Sequence, residues 1–187
     1  MASMNQFPNV KELLKTMVSY DTVNSGISGK LKPEEPLVEF LQKLAESSGF
    51  ETRRLAVPDQ SDELLILYRC AEELPWVLFD SHIDTVSLDG MTVEPLGGIE
   101  KDGRIWGRGS CDTKGSGAAM FKALREYSEG EGQKNNIALL YSVDEERGMT
   151  GIQTFANTHY ANIGFDVKGV IVGEPTQLKP VVAHNGL

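Results

Sequence analysis

The stretch Trp76–Phe79 (WVLF), followed directly by Asp80–Thr85 (DSHIDT), decides the fold of this chain. Its first four residues are all apolar, which is typical of a strand that is buried on both faces of a parallel sheet. Polar residues begin where the apolar run ends. Because ligands of open α/β sheets bind beyond the carboxyl ends of the strands, we expect a functional site just after Phe79.

Helices and further strands alternate on both sides of this stretch. Helices are predicted where apolar residues recur every three or four positions, at Val10–Val18, Pro36–Gly49, Ala118–Tyr127 and Gly151–Tyr160. Strands are predicted at Glu51–Val57, Leu64–Tyr68, Ile137–Val143 and Val170–Val172, with a hairpin at Ile99–Trp106 that turns at Asp102-Gly103. Tyr20–Lys32 has no periodicity and is predicted to be a loop. The alternation predicts an α/β domain with a mainly parallel central sheet and helices on both faces.

Composition and charge narrow the class of protein. The chain has 187 residues and a formal net charge of −9, which fits one acidic globular domain. Nucleic acids and anionic membranes need clustered positive charge, so neither is expected as a partner. The apolar runs are short and the N-terminus lacks the pattern of a secretion signal. Cys70 and Cys111 have no disulfide or zinc-finger spacing, so we expect free thiols and a cytoplasmic protein.

Acidic and imidazole side chains recur at the ends of the predicted strands. They lie in four stretches: Asp80–Thr85, Gly107–Gly115, Asp144–Gly148 and Gly173–Thr176. Each alone has an ordinary explanation as a core histidine, a solvated acidic loop or a turn. Together they supply one imidazole and several carboxylates at one edge of the sheet, a donor set that suits zinc, manganese or cobalt.

Two pairs in these stretches have a specific geometry. His82 and Asp84 are two positions apart on an extended segment and point to the same side, so the carboxylate can accept the second ring N–H of the imidazole. Glu145 and Glu146 are neighbours and diverge, so one can bind metal while the other acts as a base.

Several other motifs are absent or broken. Gly107-Arg108-Gly109 lacks the third glycine of a dinucleotide-binding loop, and Lys114-Gly115-Ser116 has the wrong order for a phosphate loop. No G-x-S-x-G motif of serine hydrolases is present.

Four stretches resemble the successive signatures of the dinuclear zinc aminoacylase and carboxypeptidase G family, which includes acetylornithine deacetylase and succinyl-diaminopimelate desuccinylase. They are SHIDTV at 81–86, GRGSCDTKGSGAA at 107–119, SVDEERGMTG at 142–151 and VGEPTQLKPVVAHNG at 172–186. The resemblance implies a zinc exopeptidase-like catalytic domain. The metal ligands that it implies are His82, Asp112 as the bridging group, Glu146 for the second zinc, and Glu174. It also implies that Asp84 orients His82 and that Glu145 is the general base.

The activity implied is hydrolysis of the amide bond of an N-acyl amino acid or short peptide. Water lying between two zinc ions, for which cobalt or manganese can substitute, would lose its proton to Glu145. The stretch after Glu174 is most similar to the acetylornithine deacetylase group. Desuccinylase, metallocarboxypeptidase and dipeptidase activities stay open as alternatives, as does an incomplete chain without activity by itself.

The chain also departs from the family pattern. Cys111-Asp112-Thr113 stands where Ala-Asp-Met is usual, with the aspartate retained. Members are roughly twice as long, with a lid and dimerisation domain and a closing half of the catalytic domain. The resemblance therefore implies that residues 1–187 form the N-terminal part of that catalytic domain, and that the full-length protein is a homodimer. His184 matches a family histidine that is outside the implied metal set.

Overall fold

The computed structural model describes residues 7–182, and His184 therefore lies outside the described residues. The helices are α1 (Val10–Ser19), α2 (Ser25–Ser28), α3 (Glu35–Ser47), α4 (Lys114–Glu129) and α5 (Thr150–Thr154). After α5 the chain continues as a π-helical turn over Phe155–His159 and a 3₁₀ turn over Tyr160–Asn162. The strands are β1 (Glu51–Leu55), β2 (Glu63–Tyr68), β3 (Trp76–His82), β4 (Ile99–Lys101), β5 (Arg104–Trp106), β6 (Asn136–Ser142) and β7 (Val167–Val172).

Five strands form the central sheet in the order β1-β2-β6-β3-β7. β6 pairs with β3, and β3 with β7, in parallel, whereas the β1–β2 and β2–β6 pairs are antiparallel. The α/β class is confirmed. The sheet is mixed, because β2 alone runs against the other four strands. The short connections before and after β2 explain this, since a parallel crossover needs a dozen or more residues.

Apolar cores lie on both faces of the sheet, as the sequence predicts. Alternate residues of β2 point to opposite faces: Leu64 and Ile66 pack under α1, α3 and α4, while Leu65 and Leu67 pack under Phe155 and Ile163. β6 is buried along its whole length. Its seven residues therefore form the buried centre of the sheet, from which the adjoining loops project.

Local sequence signals account for several element boundaries. α1 begins with a capping box in which the Asn9 side chain accepts the Glu12 N–H at 3.0 Å. The predicted hairpin is confirmed as β4–β5, and its turn residues Asp102 and Gly103 have positive φ values of 53° and 71°.

The predicted loop over residues 20–32 is more ordered than expected. It contains α2 and, at Val23, an isolated parallel bridge to Thr85. The backbone of this segment therefore lies directly beside the residues that follow β3.

Two further expectations concern sulfur chemistry and membranes. Cys70, which is half-buried, and Cys111, which is exposed, are both free thiols in the structure. Within residues 7–182, the helices are too short or too polar to span a bilayer.

Candidate metal centre

The site lies where β3, β6 and β7 end at the same edge of the sheet. His82 is the last residue of β3 and is only 2% exposed. Its Nε2 atom lies 3.1 Å from Asp112 Oδ1, 3.8 Å from Glu145 Oε2 and 3.9 Å from Glu174 Oε1. Three loops that are far apart in sequence thus bring their carboxylates to one imidazole nitrogen.

Three of these residues form a group that fits a metal ion. One donor atom from each of His82, Asp112 and Glu174 lies within 4.8 Å of the other two. One imidazole and two carboxylates are a donor set of the kind that binds zinc or other divalent first-row metals. The sequence prediction placed these three residues in the metal set, and the structure brings them together.

The other nitrogen of His82 faces Asp84. Nδ1 lies 3.1 Å from the backbone carbonyl of Asp84 and 3.5 Å from its Oδ1 atom. The sequence prediction named the carboxylate as the acceptor, whereas the carbonyl is the nearer partner. Either acceptor keeps the Nδ1–H on the buried side, so that Nε2 is directed at Asp112.

Electrostatics at His82 favour positive charge. Burial opposes its protonation, but the hydrogen bond to Asp84 and the charges of Asp84, Glu145 and Glu174 outweigh burial and raise the pKa of His82 to about 9. A cation at Nε2 would therefore be stabilised by the same carboxylates.

Asp84 is fully buried and holds the loop that carries the two glutamates. Its carboxylate accepts the backbone N–H of Glu145 at 3.0 Å and that of Glu146 at 3.1 Å, and also an N–H of Asn24 at 2.8 Å. Burial alone would raise the pKa of Asp84, but hydrogen bonds from His82 and Asn24 more than offset this and leave it below its usual value. Asp84 is therefore an ionised anchor between two loops.

The two glutamates differ in position. The Glu145 carboxylate is within 3.8 Å of His82 and is 34% exposed. The Glu146 carboxylate is outside the group of three donors, although burial and the nearby charge of Asp112 raise its pKa. The assignment of Glu146 to a second zinc stays a prediction.

Glu174 follows β7 through a glycine that allows close packing. The Gly173 N–H donates to the carbonyl of Asp80 at 2.8 Å. A Cβ atom at Gly173 would come within 2.6 Å of the Ser116 Cβ atom on α4. Burial and the charges of Asp112 and Glu145 raise the pKa of Glu174 to about 7, against the opposing effect of His82.

The residues that support the site include several that the sequence prediction missed. Thr113 donates its hydroxyl to the carbonyl of His82 at 3.1 Å. Lys114 is buried, donates to the carbonyl of Tyr20 at 2.9 Å, and has a pKa lowered to about 7 by burial. Asn24 and Asp144 are joined by a hydrogen bond of 2.8 Å. Lys114 lies in the stretch 107–119, which the sequence analysis singles out. By contrast, nothing in the local sequence around Asn24 distinguishes it from an ordinary loop residue.

Comparison with known proteins gives consistent matches. The family model described as peptidase family M20/M25/M40 matches residues 78–185. An acetylornithine deacetylase from Proteus mirabilis is 28% identical over 183 residues, which are 97% of this chain and 46% of that protein. The acetylornithine deacetylase of Pasteurella multocida is 29% identical over 185 residues, or 98% of this chain and 47% of that protein. The chain thus spans about half the length of the curated relatives it matches.

A solved structure shows the same fold. The M20 family metallo-carboxypeptidase Sso-CP2 from Sulfolobus solfataricus superposes with a TM-score of 0.76 at 16% sequence identity. The match covers 89% of this chain and 37% of that protein.

Proposed function

The chain belongs to peptidase family M20/M25/M40, and on that premise we propose that the protein is a metal-dependent hydrolase that cleaves the amide bond of an N-acyl amino acid. The observation that carries the proposal is the grouping of His82, Asp112 and Glu174, with the Glu145 carboxylate beside it. We further propose an acetylated amino acid such as N-acetylornithine as the substrate, which the names of the curated relatives support.

The residues divide into those that hold metal and those that move a proton. His82, Asp112 and Glu174 would hold an ion, and Glu146 would serve a second ion that shares Asp112. When bound, zinc supplies a Lewis acid for the amide carbonyl and lowers the pKa of water. Asp84 keeps the His82 ring oriented and holds the Glu145–Glu146 backbone in place.

Glu145 is the proposed general base. Its carboxylate is partly exposed, so substrate and water have access to it. It accepts a proton from the attacking water as the new C–O bond forms, and returns that proton to the nitrogen as the C–N bond breaks. The products are a carboxylic acid and an amine, the acid then gives its remaining proton to the amine to leave a carboxylate and an ammonium group, and Glu145 ends the cycle ionised.

Glu145→Gln tests this role, because the amide keeps the shape of the side chain but cannot take the proton. We expect retained metal content and a fall in kcat of about 10²- to 10⁴-fold. Glu131→Gln, an exposed glutamate between α4 and β6, is the matched control and should leave both quantities unchanged. Near-wild-type turnover by Glu145→Gln would refute the role of Glu145.

The substrate is tested on the same purified protein with N-acetyl, N-succinyl and dipeptide substrates. Preference for N-acetylornithine supports the deacetylase proposal. Preference for a succinylated amino acid or for a dipeptide would replace it with desuccinylase or peptidase activity.

We also propose that residues 1–187 correspond to the N-terminal part of the catalytic domain, since the chain spans about half the length of its curated relatives.

A further inference from the structure

The segment Tyr20–Gly26, which we call the clasp, contacts three of the four stretches that carry the site: those of Asp84, Asp112 and Glu145–Glu146. It lies parallel to the residues that follow β3: the Asn24 N–H donates to the Thr85 carbonyl at 2.9 Å, and the Thr85 N–H donates to the Thr22 carbonyl at 3.0 Å. The Thr22 hydroxyl donates to the Ile83 carbonyl at 2.7 Å. These three bonds fix the backbone on both sides of Asp84.

The stretches that follow Asp112 and Glu146 also contact the clasp. Lys114, two residues after Asp112, donates to the Tyr20 carbonyl at 2.9 Å. Arg147, directly after Glu146, donates to the Gly26 carbonyl at 2.7 Å. The clasp is thus a shared support for loops that come from different parts of the sequence.

The Asn24 side chain lies at the centre of the clasp and is completely buried. Its amide nitrogen donates to Asp84 Oδ2 at 2.8 Å and to Asp144 Oδ1 at 2.8 Å. Its oxygen accepts the Gly26 N–H at 2.9 Å. Both donor hydrogens and the acceptor of the amide are therefore engaged.

Each carboxylate that accepts a hydrogen bond from Asn24 also contacts other residues near the site. Asp84 faces Nδ1 of His82 and accepts the backbone of Glu145 and Glu146. Asp144 lies directly before Glu145 and accepts the Thr150 N–H at 3.3 Å. A neutral amide is well suited to join two buried carboxylates, because it donates to both and adds no charge between them.

From these contacts we propose that Asn24 is a positioning residue for the metal centre, which sets His82 and the Glu145–Glu146 loop relative to each other. The inference rests on the proposed function, since it assumes that these residues bind metal. Loss of groups that orient metal ligands weakens metal binding by about 10- to 100-fold, and we expect an effect of that size here.

Two substitutions at Asn24 test the proposal. Asn24→Asp keeps the shape but removes both donors and adds a third carboxylate, whereas Asn24→Ser keeps one donor. Asn136 offers a matched control, because it is also buried, lies at the opposite end of β6, and donates to the carbonyls of Ala71 and Leu74 at 2.8 and 2.9 Å. Asn136→Asp and Asn136→Ser make the same side-chain replacements at a buried asparagine that is away from the site.

Two quantities are measured on each purified variant: the Zn²⁺ dissociation constant by chelator competition, and backbone hydrogen exchange of the metal-free protein. We expect Asn24→Asp to weaken Zn²⁺ binding by about 10- to 100-fold, with Asn24→Ser between it and wild type. The amides of Glu145 and Glu146 should exchange faster in both, while β6 stays protected. The Asn136 variants should lower the unfolding temperature and keep the Zn²⁺ affinity of wild type.

The outcomes separate this inference from the function on which it rests. Wild-type affinity and unchanged exchange at Glu145 and Glu146 in the Asn24 variants would overturn the role of Asn24 alone. An equal loss of affinity in the Asn136 variants would show a merely structural effect and also overturn it. Failure of the wild-type protein to bind Zn²⁺ would overturn the proposed function together with this inference.

Discussion

The carboxylate of Asp84 accepts the backbone N–H of Glu145 at 3.0 Å, across 61 positions of sequence. The contact joins the loop after β3 to the loop after β6. Asp84 therefore contributes to the site twice, through the His82 ring and through the backbone of the proposed base.

Asp84→Asn should weaken metal binding with little change of side-chain volume. An amide offers one acceptor oxygen where the carboxylate offers two, so at least one bond from Asn24, Glu145 or Glu146 is lost. We expect a rise of about 10- to 100-fold in the Zn²⁺ dissociation constant, measured by chelator competition. Asp89→Asn, at an exposed carboxylate, is the control. Equal affinities for Asp84→Asn and wild type would contradict the anchoring role.

Glu63→Gln should stabilise the protein at neutral pH. Glu63 is fully buried and neither carboxylate oxygen has a hydrogen-bond partner among the described residues. Burial, and then the charge of Asp80, raise the pKa of Glu63 to about 8 from 4.5. The folded protein thus keeps a proton that the unfolded chain releases, and stability falls as the pH rises from about 4.5 towards 8.

The amide variant removes this dependence because it cannot ionise. At pH 7 we expect a gain in the free energy of unfolding on the order of 3 kcal/mol, since each pH unit over which unfolding releases a proton changes it by about 1.4 kcal/mol. Urea unfolding at pH 5, 7 and 8 measures the effect, with Glu73→Gln as the exposed control. A gain that is the same at all three pH values would show that ionisation of Glu63 is not its cause.

Gly173→Ala should displace Glu174 from the candidate metal site. The new methyl group would meet the Ser116 Cβ atom at 2.6 Å and the Met120 Cε atom at 3.0 Å, so the end of β7 must move away from α4. We expect weaker Zn²⁺ binding together with a loss of about 1–3 kcal/mol in stability from overpacking.

A second substitution checks the steric explanation. Ser116→Gly removes the nearest atoms, so the double variant with Gly173→Ala should recover most of the Zn²⁺ affinity lost by the single variant. Titration calorimetry of both variants makes the comparison. No recovery in the double variant would assign the effect to the backbone of residue 173 instead of to contact with α4.

The sequence predicts which residues meet at the candidate metal site better than it predicts the residues that support them. His82, Asp112 and Glu174 each stand in a stretch that follows a predicted strand or hairpin, and strand ends share an edge in a parallel sheet. The structure brings these three together. Asn24 gives no such signal, because its importance comes from contacts with Asp84 and Asp144, which are distant in sequence.

The direction of a strand is also difficult to predict from its apolar pattern. Apolar periodicity identifies β2 but is the same for either direction, so it does not show that β2 runs against its neighbours. The lengths of the connections at Ala56–Asp62 and Arg69–Pro75 do contain that information, because both are too short for a parallel crossover.

The central place of β6 has a consequence for the order of folding. β6 pairs with β2 on one side and β3 on the other, yet it follows both in the chain: Tyr141 pairs with Leu64, and Asn136 pairs with Trp76. During synthesis, β2 and β3 emerge first and have no common partner until β6 leaves the ribosome. Closing these long loops is entropically unfavourable and slow. His82 gains the Glu145 and Glu174 carboxylates, which follow β6 in the chain, only after β6 has been made, and this ties assembly of the candidate metal centre to completion of the sheet.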